Sequence, residues 1–133
     1  MRIDVRVISM GYAEGEAIVS KKPISFYGDV DPKTGIIKDK KSDIYGESIS
    51  GKIFIFPTGR GSTVGSYILL NLKKNKAAPL AIVNVKTDAI IAVGAIIAEI
   101  PLVDKPSVDL MNIVKTGDYV RVFAQNKGWI EID

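Results

Sequence analysis

The sequence predicts an α/β domain with strands at both ends and a βαβα middle. Period-two alternation of apolar and polar residues recurs near the two termini, at Ile3-Asp4-Val5-Arg6-Val7-Ile8 and at Tyr119–Phe123. Between them lie two short apolar runs rich in β-formers, Lys52–Phe56 and Leu80–Val85. A stretch with helical spacing follows each run. At 133 residues the chain is long enough for one core and too short for two ordinary domains, so a single unit over residues 1–133 is expected.

The first strand should cover Ile3–Ile8. Gly15–Val19 reads as its neighbour, reached through the turn Gly11-Tyr12-Ala13-Glu14-Gly15. Asp31-Pro32-Lys33-Thr34-Gly35 is a tight turn, because proline presets φ and glycine accepts a positive φ. From Asp39 to Ser50 the sequence is polar and mixed, and the run Lys38-Asp39-Lys40-Lys41 reads as a solvated surface loop. Lys52–Phe56 is a buried strand closed by Pro57. After a glycine-rich turn, Tyr67, Ile68, Leu69, Leu70 and Leu72 outline a helix. A serine or threonine should cap its start, and Lys73, Lys74 and Lys76 suit its negative end. Leu80–Val85 is the second buried strand. Asp88 should cap a further helix running to about Glu99, with Gly94 tolerated for close packing. Leu102-Val103 is extended. Tyr119–Phe123 and Trp129–Ile132 flank the turn Gln125–Gly128 and close the chain as a hairpin. Strands at both ends of the chain are expected to pair in one curved sheet.

Composition narrows the function. Hydrophobic residues are 47% and charged residues 25%, the balance of a folded domain. There is no cysteine and no histidine. The chain therefore offers neither the thiolates that hold iron–sulfur clusters nor the imidazoles that dominate zinc sites, and it has no partner for a serine nucleophile of the triad type. A net charge of +3 is too small, and its lysines too scattered, to favour nucleic acid as partner. The amino-terminal residues have no continuous apolar core, so export is not expected. The most apolar segment, Ala89–Val103, is broken by Glu99 and Pro101 and falls short of the roughly 20 residues needed to span a bilayer. A cytoplasmic protein without a membrane segment is expected.

Chemistry concentrates in Pro57-Thr58-Gly59-Arg60-Gly61-Ser62-Thr63-Val64-Gly65-Ser66. Glycines allow the backbone to approach a ligand, and the first amides of the following helix point at it with the positive end of the dipole behind them. Arg60 could grip a carboxylate or phosphate in bidentate fashion. A serine hydroxyl buried there would have its alkoxide stabilised by the same amides. The alternative is structural: Ser62 caps the helix, Arg60 faces solvent and the glycines make a turn. The segment is not a Walker loop, because no lysine followed by serine or threonine succeeds the second glycine, and its glycine spacing is not that of a Rossmann fingerprint. Asp29 and Asp31 form a second candidate pair, able to bind metal or serve as acid and base, or simply to cap the turn in which they lie.

Three segments in order, Gly28–Gly35, Tyr45–Lys52 and Phe56–Ser62, resemble the small subunit of the aconitase X family, and the resemblance covers almost the whole chain. It implies a swivelling β/β/α barrel, the aconitase swivel type, that closes over a large subunit holding a 4Fe-4S cluster; none would be bound by this chain alone, and no metal ligand is expected in it. It implies a hydro-lyase that is active only with that subunit and dehydrates a phosphorylated hydroxy acid, phosphomevalonate in archaeal members, on a route to isoprenoid precursors. It makes Ser62 the proton acceptor, with Arg60, Gly61, Thr63 and Ser66 in the active-site loop. Many relatives carry a histidine just before the Tyr-Gly segment, where this chain has Ser42-Asp43, so no role for a histidine is carried over. The same family would also accommodate a hydroxyproline dehydratase. A non-catalytic module that holds an anion or nucleic acid is the reading from a different class.

Overall fold

The structure, a computed structural model, describes all residues from Met1 to Asp133. Eight strands form one sheet: β1 (Arg2–Asp4), β2 (Arg6–Ser9), β3 (Gly11–Val19), β4 (Ile53–Phe56), β5 (Ala81–Asn84), β6 (Leu102–Asp104), β7 (Tyr119–Ala124) and β8 (Trp129–Ile132). Their spatial order is β1-β8-β7-β3-β4-β5-β6-β2. β3 to β6 run parallel to their neighbours within that group, and the remaining pairs are antiparallel. A short helix α1 (Phe26–Asp29) precedes β4, α2 (Gly65–Lys74) joins β4 to β5, and α3 (Ala89–Ala98) joins β5 to β6.

β1 and β2 stand at opposite ends of this order, yet only Val5 separates them in the chain. The sheet must therefore curl until its two ends meet, which makes a barrel. The Val5 amide donates to the Gly128 carbonyl at 3.1 Å at the seam. This corrects the expectation of one strand over Ile3–Ile8: the alternation is real, but it serves two edges, β1 on β8 and β2 on β6. Gly15–Val19 is likewise not their neighbour, and Gly11–Gly15 is strand rather than turn. β3 runs unbroken for nine residues, antiparallel to β7 through Gly11–Glu16 and then parallel to β4 through Ala17–Val19. The small glycines that suggested a turn instead make room for packing, since a Cβ on Gly11 would lie 2.7 Å from the Pro101 ring.

Curling gives the sheet two covered faces. Along β4, Ile53 and Ile55 point into the barrel with Ala17, Val19, Val83 and Val120, while Phe54 and Phe56 point outward beneath α2 and α3. All four side chains are inaccessible to solvent, as expected of a parallel strand flanked on both sides. Each such aromatic or branched side chain contributes about 1.5–3 kcal/mol by its burial. β7 shows the one-sided pattern instead, with Val120, Val122 and Ala124 buried and the residues between them half-exposed. Of the loop between Asp39 and Ser50, the lysines face solvent as expected, but Ile44 and Ile49 are buried in the core under the helices.

The expected helices form with one difference. Asp88 caps α3 by accepting from the Ile91 amide at 2.9 Å, and Lys73 and Lys74 occupy the last turn of α2. α2, however, has no serine or threonine cap; Val64 precedes it and offers no side-chain acceptor. α2 and α3 meet at Gly94, where a Cβ would come within 2.7 Å of Leu69 and 3.0 Å of the Ser66 backbone. No helix is long and apolar enough to cross a membrane.

One ion pair ties the seam. Arg6 of β2 reaches Asp104 of β6 through Nε and Nη2, both at 2.8 Å, and the same fully buried carboxylate accepts from the Thr87 amide at 2.9 Å. Burial opposes ionisation of Asp104, yet the Arg6 and Thr87 hydrogen bonds outweigh it and hold the carboxyl below its ordinary value. Stability from this group is therefore complete above the ordinary carboxylate range and is lost as pH falls through the lowered value. Urea denaturation between about pH 6 and about pH 2 should show Asp104→Asn less stable at the upper end and closing on the wild type at the lower end. A gap that widens on acidification would contradict this assignment.

Candidate functional site

The loop after β4 is built from backbone contacts on both sides. The Pro57 carbonyl accepts from Val85 and Lys86 at 2.9 and 3.0 Å, and the buried Asn84 side chain donates to the Phe56 carbonyl at 3.0 Å, so the ends of β4 and β5 are locked together. On the other side the Ile24 amide donates to Thr58 at 3.1 Å and the Arg60 amide to Ile24 at 3.0 Å, a single parallel bridge that holds Gly59. Gly59 has to be glycine: a Cβ would lie 2.4 Å from Ile91 Cδ1 and 2.5 Å from the capping carboxylate of Asp88. Gly61 has φ +96°, and a Cβ there would meet the Ser25 hydroxyl at 2.8 Å.

Arg60, Gly61, Ser62 and Thr63 follow as one exposed stretch. The Ser62 hydroxyl oxygen accepts from the Val64 amide at 3.1 Å, and the Ser62 carbonyl accepts from Gly65 at 3.1 Å. Ser62 thus sits before the helix, with one amide on its side-chain oxygen, open to the outside rather than buried. Ser66 is committed elsewhere, its hydroxyl donating to the Ile90 carbonyl at 2.8 Å and tying α2 to α3. Thr63 and Ser66 both line a groove between these two helices.

Arg60 is not simply on solvent. Its Nη2 lies 3.2 Å from the buried Asp29 carboxylate and 3.8 Å from that of Asp39. Asp29 also accepts from the Ser25 amide at 2.8 Å, so one carboxylate fixes both the segment at Ser25 beside the Ile24 bridge and the arginine within the loop. The second candidate carboxylate has a different part. Asp31 accepts from the Lys33 amide at 2.9 Å and caps the turn closed by Gly35, and the amide contact lowers its carboxyl from the ordinary value. The structure does not unite Asp29 and Asp31 as a pair, and no three His, Cys, Asp or Glu side chains gather anywhere in the chain. Beside Arg60 a cleft of about 280 Å³ is lined by Lys22, Ile24, Asp29, Asp39, Lys41 and Ser42. The sequence gives no sign of Lys22 or Ser25, and Asp39 reads there only as part of the solvated run at 38–41; no local spacing links any of them to Arg60.

The family model described as "Aconitase X swivel domain" matches residues 2–132. The chain is 54% identical to the phosphomevalonate dehydratase small subunit of Archaeoglobus fulgidus, over 99% of this chain and 98% of that one. It is also 54% identical to the protein of the same name from Methanosarcina mazei, over 96% of this chain and 88% of the relative. Among solved structures, the crystal structure of Thermococcus kodakaraensis aconitase X in its holo form is similar with a TM-score of 0.94 and 53% identity, covering 100% of this chain and 98% of that one.

Because Asp29 satisfies the Ser25 amide as well as Arg60, its removal should cost more than removal of the arginine. Asp29→Ala is expected to destabilise the chain by about 1–3 kcal/mol through the orphaned amide. Arg60→Lys, which keeps a cation beside the carboxylate, should cost under about 1 kcal/mol. Paired denaturant titrations measure both, and an Asp29→Ala chain as stable as the wild type would show that the clamp is not needed.

Proposed function

This chain belongs to the aconitase X swivel-domain family, and we propose that it is the small subunit of a phosphomevalonate dehydratase, residues 1–133 forming one swivel domain in which Ser62 accepts the proton. The reaction is the dehydration of (R)-5-phosphomevalonate to trans-anhydromevalonate 5-phosphate. Ser62 Oγ, as the alkoxide, takes the proton from the carbon beside the carboxylate, that electron pair becomes the carbon–carbon double bond, and the group on the next carbon departs as hydroxide, which becomes water with the proton that Ser62 gives up when its alkoxide is restored.

The observation that carries this reading is the setting of the Ser62 oxygen: exposed at the lip of the loop, with a backbone N–H already on it. An amide donor aimed at a developing negative oxygen is the arrangement that stabilises an oxyanion, and it is prepaid by the fold. One amide does not make a serine basic in water. Exclusion of water by a second chain would strengthen that amide contact.

The family also implies a 4Fe-4S cluster. This chain has no cysteine and no grouped carboxylates, so its residues do not fit that group, which would belong to the large subunit. The contributions of the chain itself are the base and the loop that holds it, on which Arg60 is tied to Asp29 and Asp39. Gly61 gives the bend its sign of φ, and the Ser66 hydroxyl ties the start of α2 to α3. The pair of subunits would work in the cytoplasm on a small phosphorylated acid.

Ser62→Ala in the complex with the large subunit should lower the dehydration rate by about 10²–10⁴-fold while assembly and cluster absorbance stay unchanged. A rate near that of the wild type would remove Ser62 from the chemistry. The wild-type complex offered hydroxyproline in place of phosphomevalonate should be inactive, and turnover of hydroxyproline alone would reassign the substrate.

A further inference from the structure

α3 reads Ala-Ile-Ile-Ala-Val-Gly-Ala-Ile-Ile-Ala, ten residues without a polar side chain. A helix apolar all round is one that is covered all round. Here only one side is covered. Ile91, Gly94, Ala95 and Ala98 are buried against α2 and the sheet, whereas Val93, Ile96 and Ile97 are 49%, 54% and 58% exposed. Tyr67 of α2, on the same groove, is 68% exposed. Between the helices runs a groove of about 430 Å³ formed by Tyr67, Leu70, Ala89, Ile90, Val93 and Ile97, with Thr63 and Ser66 on it and no charged residue. Met10 meets Ile96 in a separate hollow beside Glu99, and Ile36 and Val108 lie in connections away from these helices. Contiguous apolar surface of this kind marks a place where another molecule sits.

We propose that the groove between α2 and α3 is the docking face for the large subunit, an inference that rests on the reading of the chain as a dehydratase small subunit. Continuity with the site decides the occupant. Thr63, on the groove, directly follows Ser62, so a chain lying in the groove arrives at the hydroxyl that it has to cover. A second copy of this chain in the same place would bury Thr63 and Ser66 and crowd Ser62 away from any partner that brings the rest of the site. The uncharged lining gives nucleic acid or a charged peptide nothing to pair with. The matching surface is therefore apolar, with aliphatic or aromatic anchors inside a polar rim.

The test uses the complex of the two subunits. Val93→Glu and Ile97→Glu, introduced singly, place a charge on an exposed side chain and should leave the melting of the free chain unchanged. Each should weaken binding to the large subunit by about 30-fold or more in calorimetry, because the charge is buried unpaired on docking. Lys127→Glu, on the turn between β7 and β8, should change it by no more than about twofold. Ile97→Ala only trims the side chain and should still lose at least about fivefold, which keeps the proposal open to refutation if a glutamate variant unfolds. Affinity equal to the wild type in these variants would overturn the docking face while leaving the enzyme reading intact. So would a homodimer of the free chain, seen by sedimentation, that the glutamates dissolve without touching large-subunit binding. A wild-type chain that forms no complex at all would sink the enzyme reading itself and the docking face with it.

Discussion

Everything in this fold depends on a single residue of chain between two strands that end up on opposite edges of the sheet. Val5 separates β1 from β2, and the sheet has no choice but to close so that both can pair. Closure removes the sheet edges that would otherwise be open to strangers. It also creates an inside and an outside, and the alternation of β4 fills both, isoleucines inward and phenylalanines outward. The Arg6–Asp104 pair then latches β2 to β6, and its third hydrogen bond, from Thr87, reaches the connection that leads into α3. The seam of the barrel and the helix layer are thus coupled through one carboxylate.

That closure is what fixes the point from which the loop after β4 departs. A strand buried on both faces cannot shift its register, so the chain leaves Phe56 at a fixed point, and Asn84 pins the neighbouring strand end to it. The bridge to Ile24 and the Asp29 carboxylate then hold the far side of the loop. Gly59 is pressed against the residue that caps α3, so loop and helix start are one packed unit. A catalytic atom carried here would be positioned by the core rather than by its own neighbours in sequence, which is how a loop reaches the precision that catalysis asks of it.

The sequence revealed the parts whose cause is local. Strands β4 and β5, the Asp88 cap, the lysines closing α2, the 31–35 turn and the final hairpin all follow from periodicity, capping and turn chemistry confined to a few residues. What was not legible is long-range. The break at Val5 has no signature of its own, because the alternation of Ile3–Ile8 is the same whether its residues serve one strand or two edges of a closed sheet. The Gly11–Gly15 stretch looked like a turn because glycine is common in turns, while its real cause is the Pro101 ring on the other side of the chain. The loop of glycines was recognisable as special, and Arg60 through Thr63 do lie together on it. That Arg60 would answer to Asp29 and Asp39 depends on a bridge at Ile24 that only the fold makes.

The two unsatisfied features of the surface have one remedy. Ser62 is open to water, where its hydroxyl is far too weakly acidic for an alkoxide to persist at neutral pH, and the single Val64 amide cannot change that in a high dielectric. A few residues away, α3 turns isoleucine and valine outward, at a standing cost in solvation. In the proposed complex one event relieves both. Apolar contact drives the partner onto the groove, and the water it expels from the neighbouring lip raises the worth of each dipole aimed at the Ser62 oxygen. On this view the hydrophobic face is part of how the base is made: the free energy of docking is what dehydrates a serine whose loop is already in place.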